Sequence, residues 1–371
     1  MPLTRRTLLQ RLAAAGLLAT TPAGVGRAVA DQASFFRIGT GSTGGTYFPI
    51  GSLLASVISN PPGSRGCDRG GSCGVPGLIA VAQSTEGSVA NVAAIAGGRL
   101  ESGLCQADVA FWAFHGEAVF EGNERVTKLR TLANLYPEAI QLVVRADAGI
   151  RSVEDLKGKR ISVDREGSGT LVDARLVLAA YGLDVEDLEA RYLASGQAVE
   201  LMRKGELEGL FLVAGTPTAA IAGLAETTAI QLVPISGEEA IVIEQSWPFF
   251  SHTTIQSGTY RGVAATRTLS VGAQWLVSAD LPDDLVTGIT AALWHPASRR
   301  LLDTGHPKGR LIELDTALNS LGVPLHPGAL AYYEQRGITF LDEEYDPAEE
   351  PSTSELDVVP QLQHEGFGEI E

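Results

Sequence analysis

Four segments of this chain combine glycines with hydroxyl side chains in the manner of ligand-gripping loops. They are Gly39-Thr40-Gly41-Ser42-Thr43-Gly44-Gly45-Thr46, Gln83-Ser84-Thr85-Glu86-Gly87-Ser88, Asp164-Arg165-Glu166-Gly167-Ser168-Gly169-Thr170 and Ser195-Gly196-Gln197. Glycine lets backbone N–H groups approach a ligand closely. A helix N-terminus adds free N–H donors and partial positive charge, which suits a carboxylate. Thr43, Thr46, Ser84, Thr85, Ser88, Ser168 and Thr170 bring further donors. Such loops facing one cleft hold a small polar or anionic solute without any arginine. For each Ser or Thr alone an N-cap is an equal alternative, so the expectation rests on the set.

Enzymatic readings are weaker. Gly39, Gly41 and Gly44 match a dinucleotide loop, G-x-G-x-x-G, between a strand and a helix. The next strand ends in Gln83-Ser84-Thr85-Glu86, so its acid comes more than forty residues on; a ribose-binding acid is expected after about 20. An exported dinucleotide-dependent oxidoreductase is therefore the runner-up. Gly167-Ser168-Gly169 is no nucleophile elbow, because Glu166 and Thr170 stand where its two glycines would be. The six His are scattered without a ligand pattern. The expectation is a non-enzyme with no metal and no cofactor.

The loops sit in a repeated grammar. A strand at 35–38 leads to a helix bearing Ile50, Leu53, Leu54, Val57 and Ile58 on one face. A strand at 78–82 leads to a helix bearing Val89, Val92, Ala93 and Ala96, and a further strand is expected over 105–112. The order returns with strands at 160–163, 192–194 and 211–213 and helices carrying Val172, Leu176 and Ala179, then residues 199–202, then Ile221. Gly205-Glu206-Leu207-Glu208-Gly209-Leu210 echoes Gly98-Arg99-Leu100-Glu101-Ser102-Gly103-Leu104. Two copies imply two α/β lobes with mainly parallel sheets flanked by helices. Ligands bind such sheets at the C-terminal ends of the strands. Apolar stretches at 140–145 and 269–277 read as strands crossing between lobes. The first lobe is then 31–139 with 269–340, and the second 140–268. Tyr136, at the first crossing, either covers the ligand or packs the hinge.

The 371 residues are 44% hydrophobic and only 19% charged, which fits ordered lobes with real cores. The net charge of -16 and the absence of a basic stripe exclude nucleic acid as a partner. Residues 1–30 hold four Arg and no acid, whereas residues 341–371 hold eleven acids and no Lys or Arg. The first segment reads as a signal: Arg5-Arg6 precedes an apolar run at 12–18, and Ala28-Val29-Ala30 offers a cleavage site. The arginine pair points to the twin-arginine route, with a Sec signal or an uncleaved anchor as alternatives. The acidic tail is expected to be disordered and dispensable. In an oxidising compartment Cys67 and Cys73 are expected to form a small disulfide, two free thiols being the alternative; Cys105 is expected to be buried and free.

The motifs taken together resemble the TAXI-type solute-binding subunits of TRAP transporters. The matching stretches are Ile38-Gly39-Thr40-Gly41-Ser42-Thr43-Gly44-Gly45-Thr46-Tyr47, Gln83-Ser84-Thr85-Glu86-Gly87-Ser88-Val89-Ala90-Asn91, Gln106-Ala107-Asp108-Val109-Ala110 and Leu135-Tyr136-Pro137-Glu138. Gly167-Ser168-Gly169-Thr170, Ala214-Gly215-Thr216-Pro217-Thr218-Ala219-Ala220 and Pro324-Leu325-His326-Pro327-Gly328-Ala329 follow in order. The resemblance implies a type II periplasmic-binding-protein fold and a monomer in the periplasm. It also implies a membrane-embedded permease driven by an ion gradient, and a glutamate-like or organic-acid ligand. It places the ligand on Thr43, Gly44, Gly45, Thr46, Tyr47, Gln83, Ser84, Thr85, Ser88, Gln106, Tyr136, Ser168, Gly169, Thr170, Gly215, Thr216 and Pro217. Glu86 departs from a glycine common in the family; its carboxylate would repel an anion or grip an ammonium group.

Overall fold

Strand β1 (Ser34–Gly39) runs through the first glycine loop into helix α1 (Tyr47–Ile58), whose buried face includes Ile50, Leu54, Val57 and Ile58. The short strands β2 (Ser59–Asn60) and β3 (Val75–Pro76) pair with each other beside the cysteine loop. Strand β4 (Leu78–Gln83) pairs in parallel with β1. Helix α2 (Ser88–Ala96) then leads to β5 (Ser102–Gln106), on the other side of β1. These coordinates are a computed structural model describing residues 33–338. The expected signal at 1–30 and acidic tail from 341 lie outside the described residues.

Residues 107–112 do not continue β5. They belong to helix α3 (Ala107–His115). Ala107, Asp108, Val109, Ala110, Trp112 and Ala113 are all buried, so the helix lacks the polar stripe that distinguishes a helix from a buried strand. A second shift occurs in the repeat. Strand β8 is Glu189–Arg191, and residues 195–197 form the first turn of a helix rather than a loop. This edge strand is three residues long and polar, so it carries little apolar signal.

The second half otherwise repeats the first. Strand β7 (Arg160–Ser162), α4 (Gly169–Ala180), β8, α5 (Ser195–Arg203) and β9 (Gly209–Ala214) follow in that order. After α6 (Ala219–Ala225) come β10 (Ile230–Val233), α7 (Glu238–Ser246) and β11 (Ser251–Ile255). The echo between the two glycine turns has a structural counterpart. Glu101 accepts from Arg37 N at 2.7 Å and from Arg37 Nε at 2.9 Å. Glu208 accepts from Arg160 N at 2.9 Å and from Arg160 Nε at 3.3 Å. In each half, a carboxylate entering the third strand clasps an arginine on the first.

Two long strands join the halves: β6 (Leu129–Arg145) and β12 (Thr266–Ser278). The sheet order is β4-β1-β5-β12-β6-β9-β7-β8. Both trios, β4-β1-β5 and β9-β7-β8, are parallel inside, and β6 and β12 run antiparallel to their neighbours. The first part of β6 pairs with β12, while Ala139 to Val144 pair with β9. All six residues of β9 are buried, as expected for a strand covered on both faces. Helices α8 (Asp283–Leu293), α9 (Pro296–Gly305) and α10 (Pro327–Gln335) pack onto the core that holds β1 and α1. This mixed α/β architecture, two lobes joined by crossover strands, is the type II periplasmic-binding-protein fold. Another core cluster runs through both lobes; in it Trp112 of α3 meets Trp247 and Phe249 edge-on at 5.3 and 5.5 Å. Cys67 and Cys73 are joined by a disulfide, and Cys105 is free and buried. Among the described residues, no helix is long and apolar enough to cross a membrane.

Candidate binding cleft

The strand ends of β1, β5, β7 and β9 and the N-termini of α1, α2 and α4 converge on one cavity of about 40 Å³. That is room for roughly three waters. Of the residues expected to grip a solute, Gly45, Thr46, Tyr47, Ser88, Gln106, Ser168, Gly169 and Thr170 line it. Thr43, Gly44, Gln83, Ser84, Thr85, Tyr136, Gly215, Thr216 and Pro217 are not in its wall. Thr43, Gln83 and Ser84 are exposed, and the Tyr136 ring is packed in the first lobe's core. Ser84 donates to Gly41 O at 2.8 Å and Thr85 to Thr40 O at 2.9 Å, so these hydroxyls tie the two loops of that lobe together.

Most hydroxyls in the wall already serve the protein. Ser168 caps α4 by accepting from Leu171 N at 3.1 Å. Thr170 accepts from Val213 N at 3.0 Å, fastening α4 to β9. Thr46 donates across the cleft to Gly215 O at 2.8 Å. The lobes meet at several other points. Ala90 N donates to Gly167 O at 2.9 Å, Gln106 Nε2 donates to Asp173 Oδ2 at 2.6 Å, and Ser42 and Ser195 share a hydrogen bond of 3.0 Å. The glycines permit this approach: a Cβ at Gly169 would stand 1.8 Å from Gln106 Oε1, and one at Gly44 would stand 3.1 Å from Ser195 Oγ. The structure is thus a closed form.

Gly39 has a packing role. A Cβ there would fall 2.4 Å from Asn91 Oδ1. Asn91 is buried and donates to Thr40 O at 2.7 Å and Leu104 O at 2.8 Å, bracing the loop from behind. The match to a dinucleotide loop therefore has an internal cause at its first glycine.

Carboxylates dominate the electrostatics, and of these only Glu86 was singled out in the sequence. Glu86, Glu138 and Asp164 line the cavity, and no Lys or Arg does. Glu86 pairs with Arg165 of the other lobe at 2.5 Å, and Arg165 Nη2 also donates to Thr85 O at 3.0 Å. Glu138 is 1% exposed and accepts from Tyr47 OH at 2.7 Å. Burial pushes its pKa up to about 8. Burial likewise raises Asp164 to about 6. Behind Gln106, Asp108 of α3 and Asp173 of α4 are fully buried and act on each other, so both are driven towards their neutral forms. Burial raises Asp108 to about 6; burial and then the charge of Asp108 raise Asp173 well above the usual range. Lys308 donates to Pro137 O at 3.3 Å and is the cation that acts on Glu138. Two like charges 4 Å apart cost about 4 kcal/mol at an effective dielectric of 20. A purely anionic solute would meet that cost wherever these groups are ionised.

Two signals marked the missed acids. Glu138 is the one acid in the 17-residue strand β6. Asp164 closes β7 with φ of 68°, a conformation Asp tolerates better than most residues. Ser42, Ser88 and Ser168 bond to Ser195, Gln106 and Leu171, and among the described residues no histidine is hydrogen-bonded to them.

Fold and cleft together define a two-lobed α/β protein that closes around an internal site. The chain belongs to the NMT1-like family, whose model matches residues 38–337. Among solved structures it is similar to the alkanesulfonate-binding protein SsuA of Xanthomonas axonopodis pv. citri bound to MOPS. The two are 16% identical over 83% of this chain and 81% of that one, with a TM-score of 0.39. MatC of Rhodopseudomonas palustris with bound malate is 13% identical over 82% and 96%, with a TM-score of 0.46. A putative L-cystine ABC transporter protein of Listeria monocytogenes is 15% identical over 76% and 98%, with a TM-score of 0.43.

Proposed function

We propose that this protein is an extracytoplasmic solute-binding protein. It captures one small organic acid or amino acid between its lobes and delivers it to a membrane transporter. The observation that carries this reading is the cavity at the lobe boundary, walled by loops of both lobes and hinged on β6 and β12. Opening about these strands exposes the strand ends; closing seals them. The wall offers helix N-termini and carboxylates rather than a nucleophile with its base, which favours capture over catalysis. The twin-arginine pattern at Arg5-Arg6 supports export to the periplasm. The ordered motifs shared with TAXI-type subunits support a TRAP permease as the partner. The lobes correspond to residues 31–139 with 269–340, and to 140–268.

A thermal-shift screen of amino acids, dicarboxylates, keto acids and sugars tests this reading. A solute at 100 times its Kd is expected to stabilise the protein by about 2.7 kcal/mol. Stabilisation by nicotinamide dinucleotides alone would favour the oxidoreductase instead. Uptake by the reconstituted permease should follow an ion gradient and ignore ATP; the reverse result removes the TRAP assignment.

A further inference from the structure

Resting on the solute-binding reading, we propose that the solute carries a protonated amine and that Glu138 is the residue that anchors it. Glu138 rises from the middle of β6, the strand shared by both lobes, into the wall of the cavity. Glu138 is 1% exposed; its carboxylate accepts from the Tyr47 hydroxyl, and the Gly215 backbone N–H and the Lys308 charge also act on it. A carboxylate accepts about four. The protein does not supply the missing cation from the wall: Lys308 Nζ is turned to Pro137 O, and Arg165 is engaged by Glu86 and Thr85. A second acid, Asp164, reaches the same cavity from the other lobe. Carboxylates from both lobes thus face the cavity, and among the described residues that line it there is no Lys or Arg to balance them. An ammonium group has three donors and the charge that balances Glu138.

The same cavity also meets groups of the other polarity. The N-termini of α1, α2 and α4 abut it through Tyr47, Ser88 and Gly169. Helix N-termini favour a carboxylate. The arrangement suits a small zwitterion, an α-amino acid, better than a dicarboxylate or keto acid. The small volume of the closed cavity calls for a short side chain or a slightly wider closure.

The test is calorimetric titration of the mature protein, first stripped of bound solute by unfolding and refolding. Matched pairs differ only at the amine: L-alanine with propionate and pyruvate, L-glutamate with glutarate and 2-oxoglutarate. At least one amino acid is expected to bind, with its deaminated and keto partners weaker by on the order of 10- to 100-fold. Glu138→Gln is expected to erase that preference. The wild-type comparison stands even if the variant folds poorly. A keto acid or dicarboxylate that binds as tightly as its amine, with Glu138→Gln unchanged, overturns the amine anchor while leaving the solute-binding reading intact. Binding by no organic acid or amino acid, with no compaction in solution scattering, removes both.

Discussion

Ser168 accepts from the Leu171 N–H, and Thr170 accepts from the Val213 N–H, so both oxygens are committed before any solute arrives. Thr46 differs, because its hydroxyl bridges the lobes to Gly215 O. The three residues should therefore separate in experiment. Ser168→Ala is expected to lower stability by about 1 kcal/mol, the usual loss for an N-cap. Thr170→Ala leaves a buried N–H unsatisfied and is expected to cost about 1–3 kcal/mol. Neither should change solute affinity more than a few-fold once folded. Thr46→Ala should leave lobe stability nearly unaltered and reduce compaction. Urea unfolding read beside solution scattering checks this; a Thr46→Ala protein as compact as wild type would deny the latch.

At the scale of elements, the C-terminal segment uses one device three times. His295, His306 and His326 each precede a proline, and each Nδ1 accepts a backbone N–H two residues on, at 3.1 Å. Proline suits the first helical position, and the histidine serves as the cap. The cap works only while Nδ1 is unprotonated. Burial lowers the pKa of His306 and of His326; Asp283, 3.8 Å from His326, opposes it there but burial prevails. A lowered folded-state pKa means the stability is complete above the unfolded value of about 6.5 and is lost as pH falls through the lower folded value. His326→Asn keeps an acceptor that does not titrate. Its unfolding free energy is expected to fall less between pH 7 and pH 5 than that of wild type, by about 1 kcal/mol. Equal slopes would show that this cap carries no linkage.

For the molecule as a whole, closure brings carboxyls together. Asp108 of α3 meets Asp173 of α4, with Gln106 bonded to Asp173 and Glu138 nearby. Cys105 adjoins Asp108, and Arg165, Glu86 and Thr170 face Asp164. In an open, wet cleft these acids would titrate near their ordinary values of about 4. Closed, Asp108 and Asp164 titrate at about 6 and Glu138 at about 8. The closed form therefore binds more protons. Its advantage is full below the ordinary carboxylate range and declines as pH rises through 6 towards 8. Without solute, scattering should show a more compact protein near pH 5.5 than near pH 8.5. Asp173→Asn, which mimics the protonated partner, should flatten the dependence. Greater compaction at high pH would reverse the sign and refute the linkage. An ammonium solute would neutralise Glu138 at neutral pH in place of its proton, which makes closure depend on the ligand.

Much of this was legible along the chain because its causes are local. The stripe Ile50, Leu54, Val57, Ile58 marks α1, the glycine turns mark the repeat, and the apolar crossings mark β6 and β12. Eight of the expected cleft residues meet in one wall, since strand–loop–helix units place their loops at one end of the sheet. What the sequence could not convey was who satisfies whom. Helix α3 looked like a strand because both lobes bury it. Ser168 takes the N-cap role that was the open alternative for it, whereas the Thr170 hydroxyl meets Val213 N–H only in the folded lobe. That Arg165 pairs with Glu86 across the cleft shows only in the folded protein. Glu138 looked like one more polar residue until burial in the hinge left it short of partners. Sequence alone determined most of the elements and the end of the sheet where the glycine loops gather, because periodicity and turn chemistry act over a few residues. Only the tertiary structure decided the charge of the cleft, because that depends on which groups from distant segments are desolvated together and which of them find a partner.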